Sequence, residues 1–254
     1  MEFALGSISI LDFVIVGVAA FVAGTSGGMT GFGGGLLLPP ILAPILGVEH
    51  VLPVLSFAML ITNVHRLLLY RKHANLKLIG TVLVTMVPAV VLGTSIYLGM
   101  PAGMVSIVLG SFLLLSIPVG RFFARRQVRL GSGGLALAGG CVGVISGTTP
   151  GAGMLMVPVL LGAGLVGEGF LATDASISIV TNLTKAVIFN QLGGLPLGLL
   201  GIGLVIGGCT VPGNYAARWI LRRTSVRLHT RLLEVIVLIG GLSLLARPLW
   251  QPVS

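Results

Sequence analysis

Apolar residues run along the chain in ten stretches, separated by short polar or glycine-rich turns. They cover 8–24, 33–47, 51–70, 78–99, 103–120, 132–148, 151–166, 172–192, 197–217 and 231–247. A helix that crosses a bilayer needs about 20 predominantly apolar residues, so the pattern predicts an all-α polytopic membrane protein. The first, second, sixth and seventh stretches are the weakest. Each runs into a glycine-rich break and two are shorter than a full crossing, so they are either complete spans or paired half-helices that dip in and return.

Composition narrows the class further. Of 254 residues, 55% are hydrophobic and only 8% charged, against about 25% charged in a soluble domain. The mean hydropathy is +1.10. These figures exclude a soluble globular domain, a disordered chain and a nucleic-acid-binding module. The net charge of +9 resembles a nucleic-acid signal, but its placement argues otherwise. Most of the cations sit in three loops: Arg71, Lys72 and Lys77; Arg121, Arg125, Arg126 and Arg129; and Arg218, Arg222, Arg223, Arg227 and Arg231. Cytoplasmic loops carry such an excess, whereas the loops at 99–102 and 193–196 carry none. Both termini are therefore expected outside. Tyr70, Tyr97, Trp219 and Trp250 fall at segment ends, where interfacial aromatic belts form. The first residues have no basic region of a cleaved signal peptide. Cys141 and Cys209 lie in apolar runs and read as packing residues, not as a disulfide.

The two halves resemble each other. TGFGGGLLLPPIL at 30–42 matches TTPGAGMLMVPVL at 148–160, and Thr62-Asn63-Val64-His65-Arg66 matches Thr181-Asn182-Leu183-Thr184-Lys185. Asn63 and Asn182 are 119 residues apart, as are Glu49 and Glu168, each in the turn before the third segment of its half. Repeat 1 spans 1–129 and repeat 2 spans 130–254, within one integral membrane domain. The basic loop follows the third segment in the first half but the fourth segment in the second. The halves are thus expected to be inverted, an architecture of secondary transporters whose site lies near the midplane at the repeat interface.

Few residues are out of place in lipid. Arg66 and Lys185 lie inside segments three and eight at equivalent repeat positions, and a cation near the bilayer centre costs about 2.5–3.5 kcal/mol. Each could snorkel to an interface, although snorkelling gives no reason for both halves to carry one. Asn63 and Asn182 fall mid-span, three residues before their cations and on the same helix face. Thr62 and Thr181 precede the cations by four. Amide, hydroxyl and cation together offer the donors an oxyanion needs, or the polar groups simply bind neighbouring helices. Replacing Arg66 or Lys185 by alanine is expected to abolish transport without unfolding the chain.

The glycine-rich stretches Ser26–Gly31 and Ser146–Gly151 each precede a short apolar segment. A helix restarting at membrane depth presents free N–H groups and a positive dipole end to an anion. This makes Gly31, Gly33, Gly34, Thr148, Thr149 and Gly151 candidate contacts, with Pro150 expected at the first position of the new helix. The spacings Gly24-x3-Gly28 and Gly139-x3-Gly143-x3-Gly147 also suit close helix packing. Asp12 and Asp174 begin spans, with Thr173-Asp174 read as an N-cap, and Glu234 is expected to pair with Arg231. Asp174 and His65 remain candidates for proton coupling. No metal-ligand cluster, cofactor motif or nucleophile–base set appears, so neither an enzyme nor a metal or cofactor site is expected.

The paired glycine–proline blocks at 33–40 and 151–158, each followed by a TN-x-x-[RK] helix, resemble the sulfite exporter family (TauE/SafE, also called toluene sulfonate uptake permeases). The resemblance implies transport of sulfur-containing oxyanions, such as sulfite or organosulfonates like sulfoacetate, across the bacterial inner membrane. Ala152 stands where the first block has its middle glycine. Export by alternating access leads; another small anion, a coupled importer or a non-transporting scaffold are the alternatives, and a homodimer stays open. An inside-negative potential drives anions outward at about 2.3 kcal/mol per charge per 100 mV, so export is expected to need no coupling ion. A water-accessible cavity converging on Asn63, Arg66, Asn182 and Lys185 would separate transporter from scaffold.

Overall fold

Lipid offers backbone groups no hydrogen-bond partners, so apolar runs fold as helices that satisfy themselves. The computed structural model describes residues 9–30, 33–125, 130–194, 196–221 and 226–250, and among them there is no strand. Ten helices follow the ten apolar stretches to within a few residues. They are α1 (Ile10–Thr30), α2 (Gly33–Leu46), α3 (Val48–Tyr70), α4 (Leu76–Leu98), α5 (Ala102–Arg125), α6 (Ser132–Thr148), α7 (Gly153–Gly162), α8 (Gly167–Gln191), α9 (Leu200–Leu221) and α10 (Val226–Trp250). Among the described residues, five helices are long and apolar enough to cross a membrane: α1, α3, α4, α5 and α9. At 1.5 Å per residue, α2 with 14 residues and α7 with 10 span only about 21 and 15 Å, well short of a hydrocarbon core of about 30 Å. The half-length elements are therefore α2 and α7, whereas α1 has 21 residues. Large apolar side chains such as Val84, Leu137, Leu204 and Ile239 point outward, as a bilayer-facing surface requires.

α3 packs on α8. α4 packs on α6 and α1 on α9; α3 also meets α9 and α8 also meets α4. α5 packs on α10, α2 on α10 and α7 on α5. These pairings are unchanged when α1–α5 are exchanged with α6–α10. Two glycine seams make the closest of them. In the α4–α6 seam a Cβ at Gly143 would lie 2.7 Å from Met86 O, and one at Gly139 would lie 2.8 Å from Val82 O. In the α1–α9 seam Gly24 abuts the Thr210 backbone and Gly28 abuts Asn214 and Ala217. The helix-contact spacings in the sequence thus mark real backbone contacts, and Gly24 and Gly28 stand 119 residues before Gly143 and Gly147.

Several local expectations are corrected. The first glycine-rich stretch is no break up to Thr30, because α1 stays helical through it while its glycines pack on α9. Pro150 is not the first residue of α7. It sits in the turn before Gly151, whose φ of 84° interrupts the helical backbone, and α7 begins at Gly153. Thr173-Asp174 is not an N-cap, since α8 starts at Gly167, more than a turn earlier. Tyr97 ends α4 but points inward, donating to Val48 O or Glu49 O at 3.0 and 3.1 Å, so it ties α4 to the start of α3 instead of forming an interfacial belt. Both cysteines are free, but Cys141 is exposed on α6 and is no packing residue; Cys209 is partly buried opposite Gly17. The side chain of Arg231, the expected partner of Glu234, lies outside the described residues.

Candidate functional site

α3 and α8 carry the polar residues that the apolar pattern isolates, and their contact brings both sets to one cavity. Its volume is about 100 Å³, room for a few waters or one small anion. Thr62, Asn63 and Arg66 line it from α3; Asp174, Thr181, Asn182 and Lys185 line it from α8. Arg66 and Lys185 are only 8% and 5% exposed. They end inside the bundle, so snorkelling does not account for them.

The two related half-sites are wired differently. On the α3 side, Arg66 Nη2 lies 3.2 Å from Asp174 Oδ2 and Nη1 donates to Asn63 Oδ1 at 3.2 Å. Asn63 Nδ2 in turn donates to Met59 O at 2.9 Å. On the α8 side, among the described residues, Lys185 Nζ makes one long hydrogen bond, 3.5 Å to Ser146 Oγ of α6. Asn182 lines the cavity 7% exposed. With Arg66, Asp174 and Lys185 ionised, the lining carries one net positive charge, and an anion completes it.

The threonine hydroxyls are less available than the sequence suggests. Thr62 Oγ1 shares a 2.6 Å hydrogen bond with Thr210 Oγ1 of α9 and lies 3.3 Å from Ala58 O. Thr181 Oγ1 donates to Ser178 O at 3.2 Å. The half-length helices contribute backbone instead. Gly151, Ala152 and Gly153 at the start of α7 line the cavity, as does Gly35 in the first turn of α2. Gly35 packs directly on the Gly151 backbone, leaving no space for a Cβ between them. N–H groups of a first helical turn have no partner within their own helix, and the dipole adds partial positive charge there.

Other candidates fall elsewhere. Gly33 and Gly34 open α2, but their surroundings, like Gly31, lie outside the described residues. Thr148 and Thr149 donate to Val144 O and Ile145 O at the end of α6 and are off the lining. His65 points away, with Nε2 3.0 Å from Tyr215 Oη of α9. Asn214 and Thr210 of α9 line the cavity although the sequence reading passed over them. The Asn214 amide nitrogen is buried and has no hydrogen-bond partner among the described residues. Its signal was available: a lone asparagine within an apolar stretch beside a glycine.

The sequence model of the sulfite exporter TauE/SafE family matches residues 16–244, most of the chain. The chain belongs to the TauE/SafE family. No curated protein and no solved structure matches it. Membership makes this TauE/SafE protein a multi-pass membrane transporter, and the cavity lies wholly within the matched region.

Proposed function

We propose that this TauE/SafE protein moves a small sulfur oxyanion, sulfite or an organosulfonate such as sulfoacetate, across the bacterial inner membrane by alternating access. The observation that carries this reading is Lys185: a buried ammonium in a cavity between α3 and α8 that the first turns of α2 and α7 also line, with a single long hydrogen bond among the described residues. A buried cation is costly unless paired, and a tetrahedral or pyramidal oxyanion supplies the missing charge and acceptors at once. Asn182, Lys185 and the α7 N-terminus form the primary cradle; Asn63, Arg66 and Asn214 face it across the cavity, with Thr62 and Thr181 shaping the wall. A scaffold whose polar helices only bind one another would have a packed interior, which the cavity disfavours.

The pairings preserved on exchanging the halves, together with opposite loop charge, support two inverted repeats of five helices, with the basic loops cytoplasmic and both termini outside. The test is binding and proteoliposome flux against sulfite, sulfate, thiosulfate and short alkylsulfonates. Saturable uptake of at least one of them, lost in Lys185→Ala, supports the proposal; no flux of any of them refutes it.

A further inference from the structure

The repeat is broken at the lining's acid. Asn63 and Arg66 have counterparts in Asn182 and Lys185, 119 residues on, but the position 119 residues before Asp174 is Leu55. Both Leu55 and Asp174 line the cavity, and Asp174 is 4% exposed. Repeat 2 has thus placed a carboxylate where repeat 1 has an apolar side chain, and that carboxylate spans from α8 to the guanidinium of α3 at 3.2 Å.

Asp174 occupies Arg66 as a bound oxyanion would, with one carboxylate oxygen on Nη2. We propose that Asp174 is a tethered competitor for the substrate: an anion engages Arg66 only after Asp174 has taken up a proton and let go. This rests on the anion-carrier reading above. An ionised Asp174 beside a bound oxyanion would place two negative charges around one guanidinium, and a protonated carboxyl removes the conflict and offers a donor in its place. The proton comes from hydronium or a buffer acid of the aqueous phase, which is left as water or the buffer base, and it forms an O–H bond on an Asp174 carboxylate oxygen in place of the Arg66 contact. Anion binding and proton uptake are then linked, and each favours the other by the same factor.

The surroundings leave few other groups to titrate. α8 packs against α3, α4, α6, α7 and the turn Arg71–His73. Among the described lining residues the titratable ones are Arg66 from α3 and Asp174 and Lys185 from α8 itself; α4, α6 and α7 contribute none. Arg71, Lys72 and His73 are exposed, and His73 pairs with Glu168 at 3.2 Å outside the cavity. The arrangement departs from the uncoupled carrier expected from the membrane potential, because the one acid among the described lining residues sits on the cation assigned to the substrate.

The test uses the purified full chain with sulfate and methanesulfonate, whose charge is constant through the neutral range. Binding to the wild type should tighten as pH falls from about 8.5 to about 5.5, by up to about tenfold per unit for one linked proton. Calorimetry in two buffers of different ionisation enthalpy should register proton uptake on binding. Asp174→Asn should bind with little pH dependence and no uptake, and Asp174→Ser serves the same purpose if the asparagine variant is not monodisperse. Wild-type binding that ignores pH, or uptake undiminished in the Asp174 variants, overturns the competitor and leaves the carrier standing. Failure of both anions to bind at every pH overturns the competitor, and the carrier reading falls with it only if sulfite and thiosulfate also fail to bind.

Discussion

The Arg66–Asp174 contact changes what removal of Arg66 should do. The pair is 3.2 Å apart, with side chains only 9% and 6% exposed. Deleting one member of a buried pair leaves an uncompensated charge and costs about 3–5 kcal/mol, whereas replacing both by apolar groups of similar volume is often neutral or stabilising. Arg66→Met should therefore destabilise the folded state by about 3–5 kcal/mol, reduced to the extent that Asp174 can protonate. Asp174→Leu, the residue found at the related position of repeat 1, should destabilise similarly by stranding Arg66. The double variant Arg66→Met/Asp174→Leu should return to within about 1 kcal/mol of the wild type. Denaturation of the purified protein in mixed detergent micelles, followed by far-UV circular dichroism, measures all four corners of the cycle. The double variant should be stable and transport nothing, which separates the structural role of the pair from its role toward substrate. A double variant as unstable as the sum of the two single losses would show that the side chains act independently and refute the argument. The expectation that alanine at Arg66 leaves the fold untouched is withdrawn on this ground; for Lys185, which has no acidic partner in the described structure, it stands.

Lys185→Ala should weaken anion binding by about 10–100-fold, the worth of a charge-assisted hydrogen bond of about 1.5–3 kcal/mol, without lowering denaturation stability; unchanged affinity by calorimetry would contradict it. Gly147→Ala places a Cβ 2.6–2.7 Å from Thr94 N and Val90 O and should cost about 1–3 kcal/mol. Gly208→Ala has no neighbour within 4 Å and should be neutral or slightly stabilising; thermal stability in detergent compares the two. Asn182→Cys, in a background lacking Cys141 and Cys209, should react with a small aqueous thiol reagent and be protected by bound anion; an inert thiol would indicate a dry interior. Cysteines at His73 and Pro101 should label from opposite sides of the membrane, and labelling from one side would refute the proposed topology.

The helices were legible because lipid leaves an apolar run no other way to pair its backbone. The candidate cavity was legible where misplaced polarity was costly: Asn63, Arg66, Asn182 and Lys185 all line it. What failed depended on register and partners. His65 is adjacent to Arg66 in sequence but about 100° away around the helix, so it meets Tyr215 instead of the cavity. Asp174 looked like a helix start because the six residues before it are mixed in polarity, and its partner lies 108 residues earlier in the chain. The glycines of α1 looked like a break because sequence does not show the α9 backbone that makes them useful.

α8 has 25 residues, yet it is not among the helices apolar enough to cross a membrane. Asp174 and Lys185 both oppose its entry into lipid, at up to about 2.5–3.5 kcal/mol for a charge at the helix centre and less toward the ends. During biogenesis such a segment has no reason to leave the translocon by itself. It needs α3, whose Arg66 neutralises Asp174, and the ribosome reaches Asp174 108 residues after Arg66, roughly 5–20 s later at ordinary elongation rates. Maturation is therefore expected to need α3 retained near the insertion site until α8 emerges, so the ion pair at the candidate site would also set the order of assembly.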